Sequence, residues 1–244
     1  MIVGSPIMNA MRIFVTAGNT QVPIDRVRCI TNIFSGRTGA SIALEAHRRG
    51  HHATLATSHP ETIGDSTLRC ETYRTFDDLK ALMVQHIGKA SPEAVVHCAA
   101  VSDYRAAGIF APAATTRFEA GVWRDDQQHP TLLDRAAGKV KSDEPELWLR
   151  LVRAPKLVDK IRADWNYRGV LVKFKLEVGV SEEKLLTIAE ASRRQSRADW
   201  MVANTLEGAA AWALLGNAAG YRRVTRAELA SALLDVIESE APRG

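Results

Sequence analysis

The chain has 244 residues, of which 46% are hydrophobic and 25% charged, the balance of an ordinary globular protein. A formal charge of +4 suits an anionic small ligand, but it is too weak and too dispersed to imply a nucleic-acid partner. The three cysteines, Cys29, Cys70 and Cys98, form no C-x-x-C pair. That argues against a cysteine-based metal site and points to a reducing, cytoplasmic setting.

The longest apolar runs, such as residues 94–101, are far too short to span a bilayer, so no membrane partner is expected. The first residues, MIVGSPIMNAMR, lack a basic n-region and a long apolar h-region, so no signal peptide is expected. Residues 1–11 read as an N-terminal extension and 12–244 as a single domain.

In chain order, RIFVT at 12–16 is a buried strand that ends at Ala17-Gly18. Residues 39–49 carry helical spacing and stop at Gly50. Strands are predicted at 52–57 and 68–74, an amphipathic helix at 76–87, and a strongly apolar strand at 94–101 that breaks at Ser102-Asp103. Residues 106–138 differ, with two prolines and weak periodicity, and read as an inserted arm or flap. Further strands are predicted at 146–152, 170–174 and 199–203, and helices at 155–163, 182–195 and 225–238. The alternation implies an α/β fold: a three-layer, Rossmann-like, mostly parallel sheet with helices on both faces and a protruding dimerisation arm. Such sheets bind ligands at the carboxyl ends of their strands, where Gly18, the 32–39 loop and Ser102-Asp103 would meet.

Several stretches there carry chemistry. Ser35-Gly36-Arg37-Thr38-Gly39 precedes a helix, whose free N–H groups and positive dipole end favour an anion. Taken alone, this spacing is equally that of a tight turn. Ala99 and Ala100 leave room for a ligand, and Asp103 offers either an acceptor or a cap for the next turn. Lys139 and Lys141 place two cations on one side of an extended segment. Phe174 is either a core residue or a platform under a base. The histidines are not spaced as a ligand set, and no metal site is assigned.

Six segments in order resemble phosphopantothenate–cysteine ligase, the second-named half of the bifunctional coenzyme A biosynthesis flavoprotein. They are VTAGNTQVPIDRVRCITN (15–32), SGRTGA (35–40), AAVSDY (99–104), GKVK (138–141), VKFKLE (172–177) and ADWMVAN (198–204). The resemblance runs from about residue 12 to 238. It implies a stand-alone, cytoplasmic, homodimeric ligase that joins 4′-phosphopantothenate to L-cysteine through an acyl-nucleotidylate, using CTP or ATP with Mg²⁺. It also implies roles: Lys139 and Asn32 catalytic; Gly18, Ser35, Gly36, Arg37, Gly39 and Phe174 around the nucleotide; Arg28, Asn32, Ala99, Ala100 and Asp103 on the substrate. The sequence departs from that pattern at Gln21, Val22, Lys173, Lys175 and Thr205. Two other readings stand beside the ligase. One is a divergent, non-catalytic nucleotide-binding paralogue. The other is a nicotinamide- or flavin-binding oxidoreductase, against which the missing G-x-G-x-x-G counts.

Overall fold

The computed structural model describes residues 10–64, 67–126 and 129–240. Of the expected extension 1–11, residues 1–9 lie outside the described residues, and Met11 is buried. In chain order the first elements are β1 (Arg12–Ala17), β2 (Gln21–Pro23), β3 (Cys29–Thr31), α1 (Arg37–Arg48), β4 (His52–Thr57), β5 (Arg69–Thr72), α2 (Phe76–Met83) and β6 (Ala94–His97). They are followed by β7 (Tyr104–Pro112), β8 (Thr116–Glu119), β9 (Val122–Asp125), β10 (Leu132–Asp134) and β11 (Trp148–Arg153). The chain closes with α3 (Leu157–Ala163), β12 (Val170–Glu177), α4 (Glu182–Ser196), β13 (Trp200–Thr205), β14 (Trp212–Asn217), β15 (Gly220–Thr225) and α5 (Leu229–Glu240).

The chain divides into two compact units. Among the described residues the main unit comprises 10–20, 33–64, 67–101 and 156–240. Its sheet has eight strands in the order β15-β14-β13-β12-β6-β1-β4-β5. The pairs from β13 to β5 are parallel, and the β14–β15 hairpin adds an antiparallel edge. This is a mixed, mostly parallel α/β sheet flanked by helices. β6 (AVVH) is buried at every residue, as a central strand covered on both faces must be. On one face Ile42, Ala43 and Ala46 of α1 and Leu229, Leu233 and Ile237 of α5 pack with Val15, Val96, Val172 and Val202. On the other, Leu185 and Ala189 of α4 pack with Met201, Ala203 and Leu214.

Local signals set the helix starts. Thr75 and Asp78 form a reciprocal capping box at α2, and Ser181 caps α4 by accepting the Lys184 N–H. α2 runs on as a π-helical turn, Val84–Lys89, completing the helix expected at 76–87. The β14–β15 hairpin is an element the sequence pattern did not reveal.

The second unit comprises residues 21–32 and 102–155, and so contains the stretch 106–138. Much of that stretch is regular. β7 pairs antiparallel with β10 and β11, β8 with β9, and β2 with β3. Phe118, Trp123 and Trp148 form a mutual aromatic cluster with centroids 4.6–5.1 Å apart. Phe118, Val122, Leu132, Leu133, Leu151 and Val152 remain exposed.

Candidate functional site

β1 and β6 are sheet neighbours, and from them the chain order runs outward in opposite directions. Ligands of doubly wound sheets bind beyond the carboxyl ends of the strands at such a reversal. A cavity of 350 Å³ lies there. Gly18 follows β1, Cys98, Ala99 and Ala100 follow β6, and Phe174 and Lys175 belong to the end of β12. Phe34, Ser35, Gly36, Arg37 and Thr38 form a further wall, with Asn204 and Arg226 completing the lining.

The opening glycines exist for close approach. Gly36 is the N-cap of α1, at φ 79°, and no side chain caps this helix end. A Cβ on Gly36 would lie 2.4 Å from the Gly18 nitrogen and 2.8 Å from its Cα. One on Gly39 would lie 2.6 Å from the Cβ of Ala17. The loop therefore presses the start of α1 onto the end of β1, and only glycine fits the contact. Gly39 itself is buried beneath the cavity wall. The result is an uncapped helix start with its N–H groups and positive dipole end at the cavity.

Charge follows the same design. Three cations (Arg37, Lys175 and Arg226) line the cavity, and among the described residues no carboxylate does. Lys175 is paired with Glu177 at 2.8 Å. Arg226 donates to the Thr38 hydroxyl. Cys98 accepts the Gly39 N–H, and burial pushes its thiol up to about 12, so it stays neutral.

The floor rests on a buried polar pair. Thr16 Oγ1 accepts the Ala99 N–H at 3.3 Å and shares a second hydrogen bond with His97 Nδ1, 2.9 Å away. Burial, and then the nearby Lys173, push His97 down to about 4. Burial likewise lowers Lys173, to about 8, and its ammonium donates to the Ser192 carbonyl and the Ser196 hydroxyl.

Of the residues expected at the site, Gly18, Ser35, Gly36, Arg37, Ala99, Ala100 and Phe174 share this cavity. Phe174 packs against the core and also lines the cavity. Sequence reasoning missed Phe34, Cys98 and Arg226. Arg226 lies 188 residues from its partner Thr38, a separation that no local pattern signals.

Arg28, Asn32, Asp103 and Lys139 belong to the second unit. There the D-x-x-R of the opening motif forms a clasp. The Asp25 carboxylate accepts the Val27, Arg28 and Val140 N–H groups and the Arg28 guanidinium. Arg28 also donates to the Val140 carbonyl at 2.8 Å. These bonds hold the Asp25 carboxyl well below the usual carboxylate range, the Arg28 side chain first among them. Lys139, flanked by Gly138 and Val140 of this clasp, is exposed, as are Asn32 and Asp103.

A larger cavity, 620 Å³, opens at the amino ends of β1 and β4. Its guanidinium groups are already paired, Arg12 with Glu93 and Arg69 with Glu71, and His86 Nε2 is hydrogen-bonded to the same Glu71, so neither arginine offers a free charge to a ligand.

The fold and cavity define a class: a doubly wound α/β domain with a glycine-walled cavity at its topological switch point. Comparison with known proteins narrows it. Residues 8–112 match a family model described as the DNA/pantothenate metabolism flavoprotein C-terminal domain. The chain is 32% identical over 237 residues to the coenzyme A biosynthesis bifunctional protein CoaBC of Thermococcus kodakarensis, covering 95% of this chain and 52% of that protein. It is 29% identical to the Escherichia coli CoaBC protein over 197 residues, 80% of this chain and 41% of that one. It spans about half the length of the curated relatives it matches. Among solved structures, a DNA/pantothenate metabolism flavoprotein from Streptococcus pneumoniae superposes with a TM-score of 0.76 at 26% identity, over 94% of this chain and 99% of that one. A Cab2 mutant in complex with phosphopantothenate-cysteine shares the fold, with a TM-score of 0.64 at 15% identity over 95% of this chain and 88% of that one.

These findings correct the expected identity. The matched family is described as a flavoprotein domain, and none of these descriptions names a ligase, a nucleoside triphosphate or magnesium. The stand-alone ligase, its acyl-nucleotidylate, and CTP or ATP with Mg²⁺ as co-substrate are therefore set aside, as are the ligase's partners. The flavin-binding alternative is favoured instead. The missing G-x-G-x-x-G had counted against it because that motif places the cradle directly after β1. In this chain the 35–39 loop returns to β1 and builds the cradle there.

The residues present fit the phosphate end of a mononucleotide: an uncapped helix start, two glycines in close approach and a cationic wall. For the ring they supply one aromatic face, Phe174.

Proposed function

We propose that the main-unit cavity binds a mononucleotide by its phosphate, and that the chain works in coenzyme A biosynthesis on a phosphorylated pantothenoyl-cysteine compound. The flavoprotein descriptions of the matched family and of the Streptococcus relative make FMN the nucleotide in question. The process is that named for the CoaBC relatives, and the compound is of the kind bound in the Cab2 structure. The single observation that carries the reading is the cavity's charge pattern, with Arg37 and Arg226, neither paired with a carboxylate among the described residues, beside an uncapped helix start.

The N–H groups at the start of α1, with Ser35, Arg37 and Arg226, hold the phosphate. Phe174 stacks on the ring, and Ala99 and Ala100 leave it space. Thr16 and His97 keep the Ala99 backbone in place. A flavin, when bound, supplies a ring that exchanges a hydride or single electrons. Arg28, Asn32, Asp103 and Lys139 are proposed as second-unit contacts to the substrate. The exposed Phe118, Leu132 and Leu133 support the stretch 106–138 as the expected dimerisation arm. Three unpaired cysteines support a cytoplasmic setting.

The test is a titration of the full chain with FMN, followed by flavin fluorescence, with CTP and ATP run in parallel by calorimetry. Saturable FMN binding that is lost in Gly36→Val supports the proposal. Saturation by CTP or ATP without FMN would keep the mononucleotide site and remove the flavin. No saturation by any of the three would remove the site.

A further inference from the structure

We propose that Arg226 is the residue by which this cavity distinguishes a phosphorylated ligand from its unphosphorylated counterpart. The inference rests on the reading of the cavity as a mononucleotide site and names the group that sets its charge preference. Arg226 stands in the turn between β15 and α5, at the far end of the chain from the glycine loop. Its backbone N–H is fixed to the Ala211 carbonyl at 2.9 Å, and its guanidinium reaches the Thr38 hydroxyl at the mouth of α1.

The other two cations are less suited to the task. Lys175 is neutralised by Glu177 at 2.8 Å. Arg37 is exposed and has no carboxylate partner among the described residues, so its charge is screened by water. Arg226 is half-buried and likewise has no carboxylate partner among the described residues. Its charge also reaches the neighbouring Cys98, whose thiol it pulls downward against burial.

A guanidinium has five N–H donors in a planar fork. One is engaged by Thr38, which fixes the plane and leaves donors for a phosphate oxygen pair. Anchoring in advance also reduces the side-chain entropy lost when the ligand binds. A sugar hydroxyl in place of the phosphate would gain almost nothing from this group.

The experiment compares dissociation constants of FMN with riboflavin and of CTP with cytidine, for the parent chain, R226Q, R226K and R37Q. A charge-assisted pair of this kind is worth roughly a tenfold to hundredfold preference. R226Q is expected to lose that factor for the phosphorylated member of whichever pair binds, with the unphosphorylated member unchanged. R226K keeps the charge without the fork and is expected to fall between the two. R37Q removes another phosphate contact and is expected to weaken the phosphorylated member as well, by a smaller factor than R226Q because its charge is exposed. A parent-like ratio in R226Q overturns the inference while leaving the site reading intact. A parent chain without preference in either pair defeats the site reading itself. Should R226Q fail to fold, by circular dichroism, an unchanged ratio in R226K overturns the inference.

Discussion

Replacing Gly36 by alanine tests the geometry on which the cavity depends. Two costs are separable. At φ 79° an L-residue is in the left-handed region, which costs about 1–2 kcal/mol. The added Cβ would also lie 2.4 Å from the Gly18 nitrogen, a backbone atom that cannot rotate away. Overpacking of this kind costs roughly 1–3 kcal/mol more. The sum, about 2–5 kcal/mol, corresponds to a fall in Tm of roughly 5–15 °C for a chain of this size. Gly50→Ala is the control. Its φ is 85°, and nothing lies within 4 Å of the new Cβ, so it carries the conformational cost alone. Calorimetric melting of both variants should show Gly36→Ala losing clearly more than Gly50→Ala. Nucleotide titration should show weakened binding in Gly36→Ala only. Equal melting losses with intact binding would refute the close-approach argument.

Two further outcomes follow from the polar groups. Asp25→Asn removes the charge that gathers Arg28 and the Val140 N–H, so the segment 138–141 should loosen. Limited trypsin digestion should cleave after Lys139 and Lys141 faster than in the parent, and equal rates would sink the clasp. Because the folded carboxyl titrates below its ordinary value, its stabilisation is present at neutral pH and lost as pH falls below the usual carboxylate range. His97 titrates near 4 in the fold against an ordinary 6.5, so the fold excludes the proton that the unfolded chain takes up. Stability should be full above about 6.5, fall by about 3 kcal/mol as pH drops to about 4, and level off below. His97→Gln should flatten that part of a urea-denaturation profile. Lys173→Met should move its lower limit upward, because Lys173 supplies part of the shift.

Much of the architecture was legible because its signals are local. RIFVT, HATLAT and the apolar run before Cys98 specify strands by composition, and the spacing over 76–87 and 182–195 specifies helices that begin where α2 and α4 do. The β14–β15 hairpin escaped because its pairing is antiparallel at a sheet edge, and its residues show no clean alternation. The stretch 106–138 reads as irregular because its strands are short and pair with segments far along the chain.

The sequence alone determined the alternating α/β order, the starts of α2 and α4 and the glycine-rich turn before α1, since each depends on spacing within a few residues. The resemblance it suggested pointed to coenzyme A biosynthesis, while the ligase chemistry taken from it gave way to the flavoprotein comparison. Only the tertiary structure decided what Ser35–Gly39 faces. Gly36 is a glycine because Gly18 lies against it, and the cradle is cationic because Arg226 arrives from 188 residues away. Close contact and charge depend on distance in space, which spacing along the chain does not encode. Folding brings the cations to one wall and places Arg28 and Lys139 in the other unit.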